Sequence, residues 1–506
     1  MDTRHHPNII LILADSLGFS DLGCFGGEID TPHLDRLAEK GLRISQFYSS
    51  GESAASQAAL MTGLYAHQAG MGHGQADEGL HSYQGRLLPS SITLAELLKA
   101  IGYQTALSGI WRLSDAEGKL ASPYQRGFDH AFFAPSPAAS YHLEPPGLSY
   151  QGEAVLPSTD NFHLTEAISN HARWFLQELI DQGAPFFLTI SHQAPRYPLH
   201  AHPPDIPRFA ERYRLGWDLL RLARHRRLIE LGLIDSKWMI TPRDLSAPAW
   251  EEVSQQNWET LRMASHALLV NDIDHGLGKL LEVLDEAGIT QNTLILFMSL
   301  SGATSRWLPD NQPENQVWDS RLALSLDLPW ANLSNTPFRE YSGSVHEGGI
   351  ASPFIAHWPG QIEAGQICDR ISHLIDLMPS LLDLTGADYP SEAHGESITP
   401  LQGLSLLATL NGEVDSEAAE RTLCWEFEGH SAVRQGRWKL VRERFQKWEL
   451  YDMIADRTEL NDLARYQPEQ VKEMAAVYTD WVEACGVEDW RVILERQQAK
   501  LQDQTT

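Results

Sequence analysis

Cysteine is scarce in this chain, with four among 506 residues (Cys24, Cys368, Cys424, Cys485) and no CxxC pair. That usage reads as four buried or half-buried thiols in a reducing compartment. Positive charge is also short. Lys and Arg number 39 against 67 Asp and Glu, for a net charge of −28, which argues against nucleic acid or an anionic membrane surface as a bulk partner. A single locally positive pocket can still take a small anionic ligand. No apolar run approaches the ~20 residues of a membrane span, and there is no internal repeat or low-complexity tract. The opening, MDTRHHPNIILILADSLG, lacks the basic region, long apolar region and small-residue cleavage site of a signal peptide. As given, the chain is expected in the cytoplasm, or in the periplasm or medium if a signal was trimmed.

What is present is ordinary for a globular protein: 42% hydrophobic and 21% charged residues, enough for a sizeable core. The length suits about two to four average domains, or one large α/β domain with a smaller companion. Residues 8–14 (NIILILA) form a continuous apolar run, as in a strand buried on both faces of a parallel sheet. It delivers Asp15 to the strand's carboxyl end, where open α/β sheets gather ligands. Helices are predicted at about 31–40, 94–100 (capped by Thr93), 163–182, 257–287 and 373–385, with a basic helical hairpin at 208–232. Strands are predicted at 103–108, 185–192, 292–299 and 353–358, and an irregular Pro-rich stretch at 122–157. From about residue 420 the pattern changes to short alternating strands followed by a helix at 468–484.

The segment FYSSGESAASQAALMTGLYAHQAGMG (47–72) resembles the stretch carrying the catalytic motif of sulfatases in the alkaline-phosphatase superfamily. Asp21-Leu22-Gly23, Gly26-Gly27 and Thr31-Pro32 extend the likeness, which covers nearly the whole chain. It implies an α/β fold with a large, mostly parallel sheet flanked by helices, comprising residues 1–415, and a small C-terminal antiparallel sheet with a helix, residues 416–506. In that family a Cys or Ser becomes formylglycine, whose hydrated aldehyde attacks sulfur. A cation, usually calcium, is held by three Asp and one Asn or Gln, because a hard cation takes several oxygens and offsets transition-state charge. Lys and His neutralise the remaining oxygens and protonate the leaving group.

The resemblance places Ser53 at the nucleophile position, but Ala55 and Gln57 replace the motif's Pro and Arg. The first metal pair reads Asp15-Ser16 and the second Leu300-Ser301, so only Asp15 matches. Arg112 replaces a His, as does Arg196, Ile110 replaces a Lys, and Ser342 stands at another Lys position. Framing residues Gly109, Trp111, Pro195 and Gly302 are kept. Two readings of Ser53 stay open: modification to formylglycine, or an unmodified hydroxyl with no base or metal to activate it. Two stay open for the arginines as well. Arg112 and Arg196 could present planar forks to a sulfate, carboxylate or sugar acid, or Arg112 could pair with Asp15 or Asp115 while Arg196 faces solvent. Asp21 reads as a loop cap and His67 as hydrogen-bonded structure.

The expectation is a sulfatase scaffold that is catalytically inactive and binds an anionic ligand, such as a sulfated sugar, or a partner. No cofactor is expected, and the oligomeric state is open. The alternative is an active sulfuric ester hydrolase with formylglycine at 53 and calcium bound.

Overall fold

The computed structural model describes residues 6–115, 117–142, 147–155, 162–202, 204–413 and 420–504. Ten strands form one sheet: β1 (Asn8–Asp15), β2 (Leu42–Ile44), β3 (Gln104–Ile110), β4 (His130–Ala134), β5 (Ser149–Tyr150), β6 (Glu153–Ala154), β7 (Phe186–Pro195), β8 (Thr293–Ser299), β9 (Phe354–His357) and β10 (Gln366–Cys368). Their spatial order is β10-β2-β9-β8-β1-β7-β3-β4-β5-β6. The middle is parallel, β1 between β7 and β8, then β3 and β4. Antiparallel β9 joins β8 to β2. Every residue of β1 is buried, which is why its sequence is apolar without alternation.

The flanking helices include α1 (Pro32–Glu39), α2 (Ser53–Thr62), α3 (Leu94–Ala100), α4 (Leu164–Gln182), α5 (Ile206–Tyr213), α6 (Gly216–Glu230), α7 (Gln256–Glu286) and α8 (Leu377–Thr385). Thr93 and Glu96 close a reciprocal capping box on α3. Long α7 packs on α4, α5 and β7. The parallel register puts Asp15 opposite Pro195, Ala14 opposite Ser299 and Ser191 opposite Gly109. The carboxyl ends of β1, β3, β7 and β8 therefore meet along one edge. Gly109 makes this close approach possible. Its φ is 129°, and a Cβ there would lie 2.0 Å from the Ser191 carbonyl oxygen.

After residue 420 come β11 (Thr422–Phe427), β12 (His430–Gln435), β13 (Trp438–Arg442) and β14 (Glu449–Asp452), an antiparallel meander, then α9 (Pro468–Cys485) and α10 (Trp490–Gln504). Alternate residues face two ways. Cys424, Val433, Leu440 and Leu450 close a small core with Met474 and Tyr478 of α9, while Leu423, Trp425, Ala432 and Val441 join the main core. The boundary expected at 415/416 lies outside the described residues.

Several elements were not expected, β4 and α10 among them. The stretch read as irregular contains β4, whose apolar HAFFA run pairs in parallel with β3; its end at 156–157 lies outside the described residues. Helix α10 was not anticipated, because its sequence is polar on average and it buries little, Trp490 and Ile493 with Leu494 partly so. All four cysteines are unpaired, three buried and Cys368 partly so.

Candidate active site

Asp15 ends β1 and is 1% exposed. The next residue, Ser16, turns the chain at φ 64°, a left-handed conformation uncommon outside glycine. Helix α2 begins at Ser53 and is buried along its whole length. The carboxylate of Glu52 caps it, accepting from the Ala54 and Ala55 amides at 2.8 and 2.9 Å. This places the Ser53 hydroxyl on Asp15, donating to Oδ1 at 2.5 Å, while Ser16 donates to the same oxygen at 3.0 Å.

The other oxygen, Oδ2, takes a guanidinium. Arg112 Nη2 is in direct ion-pair contact with it, and Arg112 is only 3% exposed. Arg196 Nη1 lies 3.6 Å from the same oxygen. Asp115, the other carboxylate near Arg112 in sequence, is occupied by the Lys119 and Leu120 amides. Burial alone would raise the Asp15 carboxyl, but Arg112, Arg196 and the two hydroxyls outweigh it and hold it below the usual carboxylate range. Burial makes Arg112 less basic than usual, while Asp15 and Tyr197 make Arg196 more so. Both remain cations at neutral pH.

The other predicted positions surround this pair. Gln57, one turn along α2 from Ser53, donates to the Ile110 carbonyl at 2.9 Å and to Ser191 Oγ at 3.2 Å, and accepts from the Arg112 amide at 2.7 Å. It ties α2 to β3 and β7 and thereby positions Arg112. Leu300 is buried, its amide bonded to the Ala14 carbonyl, and presents no side-chain oxygen. Ser301 Oγ donates to the Gly302 carbonyl at 3.2 Å and lies 3.5 Å from Ser16 Oγ. Ser342 is apart from this cluster, donating to the Gly51 carbonyl at 3.3 Å. Asp21 is held by Arg224 at 2.8 Å and His266 at 3.1 Å, and His67 by Glu426 at 2.8 Å. His192, on β7, is kept neutral by burial, at about 3.

Sequence reasoning missed Tyr197 and Arg306. The Tyr197 hydroxyl accepts from Arg196 Nη2 and from Arg306 Nη1, both at 3.1 Å. Arg306 follows β8 as Arg196 follows β7, so only the strand order brings them together. Chemically the edge is a closed ion pair at Asp15, overlaid by a more open cationic cluster.

A family model described as Sulfatase matches residues 7–387, and one described as N-sulphoglucosamine sulphohydrolase, C-terminal, matches residues 343–484. An arylsulfatase of Klebsiella aerogenes is 31% identical over 445 residues, covering 82% of this chain and 95% of its own. An uncharacterized sulfatase of Schizosaccharomyces pombe is 27% identical, covering 95% and 94%. Among solved structures, Ps i-CgsB in complex with k-i-k-neocarrahexaose has a TM-score of 0.69 at 24% identity, covering 94% of this chain and 92% of its own. BT4656 in complex with its substrate D-glucosamine-2-N,6-O-disulfate has a TM-score of 0.63 at 20% identity, covering 96% and 99%.

Proposed function

This chain belongs to the sulfatase family, and from that premise we propose that it is a sulfatase scaffold without sulfatase chemistry, which holds an anionic ligand and does not cleave it. One observation carries the proposal: the Arg112 guanidinium sits on Asp15, the single carboxylate left at the family's metal position. The charge that a dication supplies in a sulfatase is supplied here by a side chain of the protein itself.

The donor set does not fit calcium, which takes six to eight oxygens. Asp15 has both oxygens engaged, Leu300 has none to offer, and Ser16 and Ser301 bring only hydroxyls. Nor is Ser53 activated. Its hydroxyl donates to Asp15, and a carboxyl held below its usual range is a weak base. The Ser53, Gln57 and Ser342 side chains donate within the protein, to Asp15, to Ile110 and Ser191, and to Gly51. The division into 1–415 and 416–506 belongs to the same reading, supported by the small separate core of the C-terminal sheet.

A sulfated sugar is the ligand class that the relatives suggest, Ps i-CgsB and BT4656 being solved with such molecules, and the arginines at the edge suit an oxyanion. The test is hydrolysis of 4-nitrophenyl sulfate, with calcium titrated into the same protein by calorimetry. Background rate and no binding heat are expected. Turnover, or calcium at one equivalent, would overturn the proposal in favour of a working sulfuric ester hydrolase.

A further inference from the structure

We propose that the anion site of this chain lies beside the sealed Asp15–Arg112 pair, at Arg196, Tyr197 and Arg306, and that it takes the sulfate of a sulfated saccharide whose ring stacks on Trp307. This rests on the reading above, in which the sulfate ester is held and not cleaved.

Two guanidiniums converge on one neutral oxygen, the Tyr197 hydroxyl, each at 3.1 Å. Both also lie over its ring, with Cζ at 4.9 and 5.7 Å from the centroid. Like charges brought this close repel, and an anion between them relieves the repulsion. Asp15, 3.6 Å away, offsets part of the charge of Arg196 but is shared with Arg112. Among the described residues, Arg306 makes no ion pair with a carboxylate. On a chain of net charge −28, such a centre is a local exception that draws anions to one place.

The site is also open and built. Arg306 is exposed, Trp307 is 54% exposed, and the Arg196 side chain keeps 22% of its surface. Arg112, by contrast, is sealed. The loop after β8 is anchored rather than loose. Ser325 donates to the Arg306 carbonyl at 2.6 Å, Asn311 to Ser325 Oγ at 2.8 Å, and Leu199 to the Leu324 carbonyl at 2.9 Å. That last bond fastens the loop to the segment carrying Arg196 and Tyr197. The cluster stands at the carboxyl ends of β7 and β8, on either side of β1, where open sheets take ligands. Trp307, the residue after Arg306, exposes its indole, a flat apolar surface suited to a sugar ring. Burial would raise the Tyr197 phenol, but Arg196 and Arg306 outweigh it and hold it below its usual value, so the positive field there is already felt by the protein's own group.

The experiment is calorimetric titration of the full chain with a sulfated carrageenan hexasaccharide, its desulfated counterpart and sodium sulfate, with free sulfate assayed afterwards in the same samples. Arg306→Ala and Trp307→Ala are titrated alongside, with melting temperatures measured. The sulfated sugar is expected to bind and the desulfated one not, Arg306→Ala to weaken binding about tenfold or more, and Trp307→Ala to weaken it less, all without change in melting temperature because both side chains are exposed. No binding by the wild-type chain, equal binding of the desulfated sugar, or undiminished binding in Arg306→Ala would overturn the site. Sodium sulfate binding as tightly as the sugar would overturn the role of Trp307. Sulfate release by the wild-type chain, with binding still lost in Arg306→Ala, would uphold this site while refuting the inactive reading.

Discussion

At Asp15 one carboxylate carries the electrostatics of the whole edge. It is fully buried, its oxygens shared among Arg112, Ser53, Ser16 and, at longer range, Arg196. Removing one member of such a pair strands the other. Arg112→Met is therefore expected to cost about 3–5 kcal/mol in urea unfolding, and the double variant Asp15→Leu/Arg112→Met much less; equal costs would show that the pair is not coupled. Because the Asp15 carboxyl is depressed, its contribution is complete above its unfolded value of about 3.9 and is lost as pH falls through the folded value. The sign is opposite at Asp272 on α7. Burial, with Glu166 and Asp205 nearby, raises its carboxyl to about 7, so the folded chain keeps a proton that the unfolded chain releases from about pH 4 upward. Stability falls over that window, and Asp272→Asn should raise the melting temperature at pH 8 but hardly at pH 4. An equal shift at both would contradict this.

At the scale of elements, the sheet edge exists because β3 can lie tight against β7 at Gly109. Gly109→Ala puts a methyl group on the Ser191 carbonyl and asks alanine for φ 129°. It should destabilise by more than about 1 kcal/mol and displace Arg112, three residues on, as read by urea unfolding and the crystal structure of the variant; a neutral result would refute the packing argument. The same scale decides what was legible beforehand. Central β1 and β8 could be read because strands covered on both faces are apolar throughout, and α3 because its cap is a sequence pattern. Strand β4 hid in a proline-rich stretch, and α10 carries only a short apolar stripe, Trp490, Ile493 and Leu494, in a polar sequence. At the site, the residues themselves were visible, but their partners were not. Asp15 and Asp115 stood equally open to Arg112, and only the strand register chooses. Nothing in sequence joins Arg306 to Tyr197, or Arg224 to Asp21.

Over the whole molecule, the C-terminal sheet is fastened to the α/β body by charge as well as by apolar contact. Lys439 on β13 bridges Glu347 and Glu459 at 2.9 and 2.8 Å, and Arg457 reaches Glu347 at 2.9 Å, all fully buried. Lys439→Met leaves two carboxylates to share one fewer cation and should cost about 3–5 kcal/mol by calorimetry or urea; a loss under about 1 kcal/mol would mean the network is dispensable. The sulfatase fold is thus kept while Asp15, at the edge of its sheet, is held in an internal ion pair with Arg112. Whether that edge is silent is recorded in the covalent state of Ser53. Mass spectrometry of the tryptic peptide covering residues 44–86, from protein made in its own host, should find residue 53 as unmodified serine; formylglycine there would contradict the inactive reading outright.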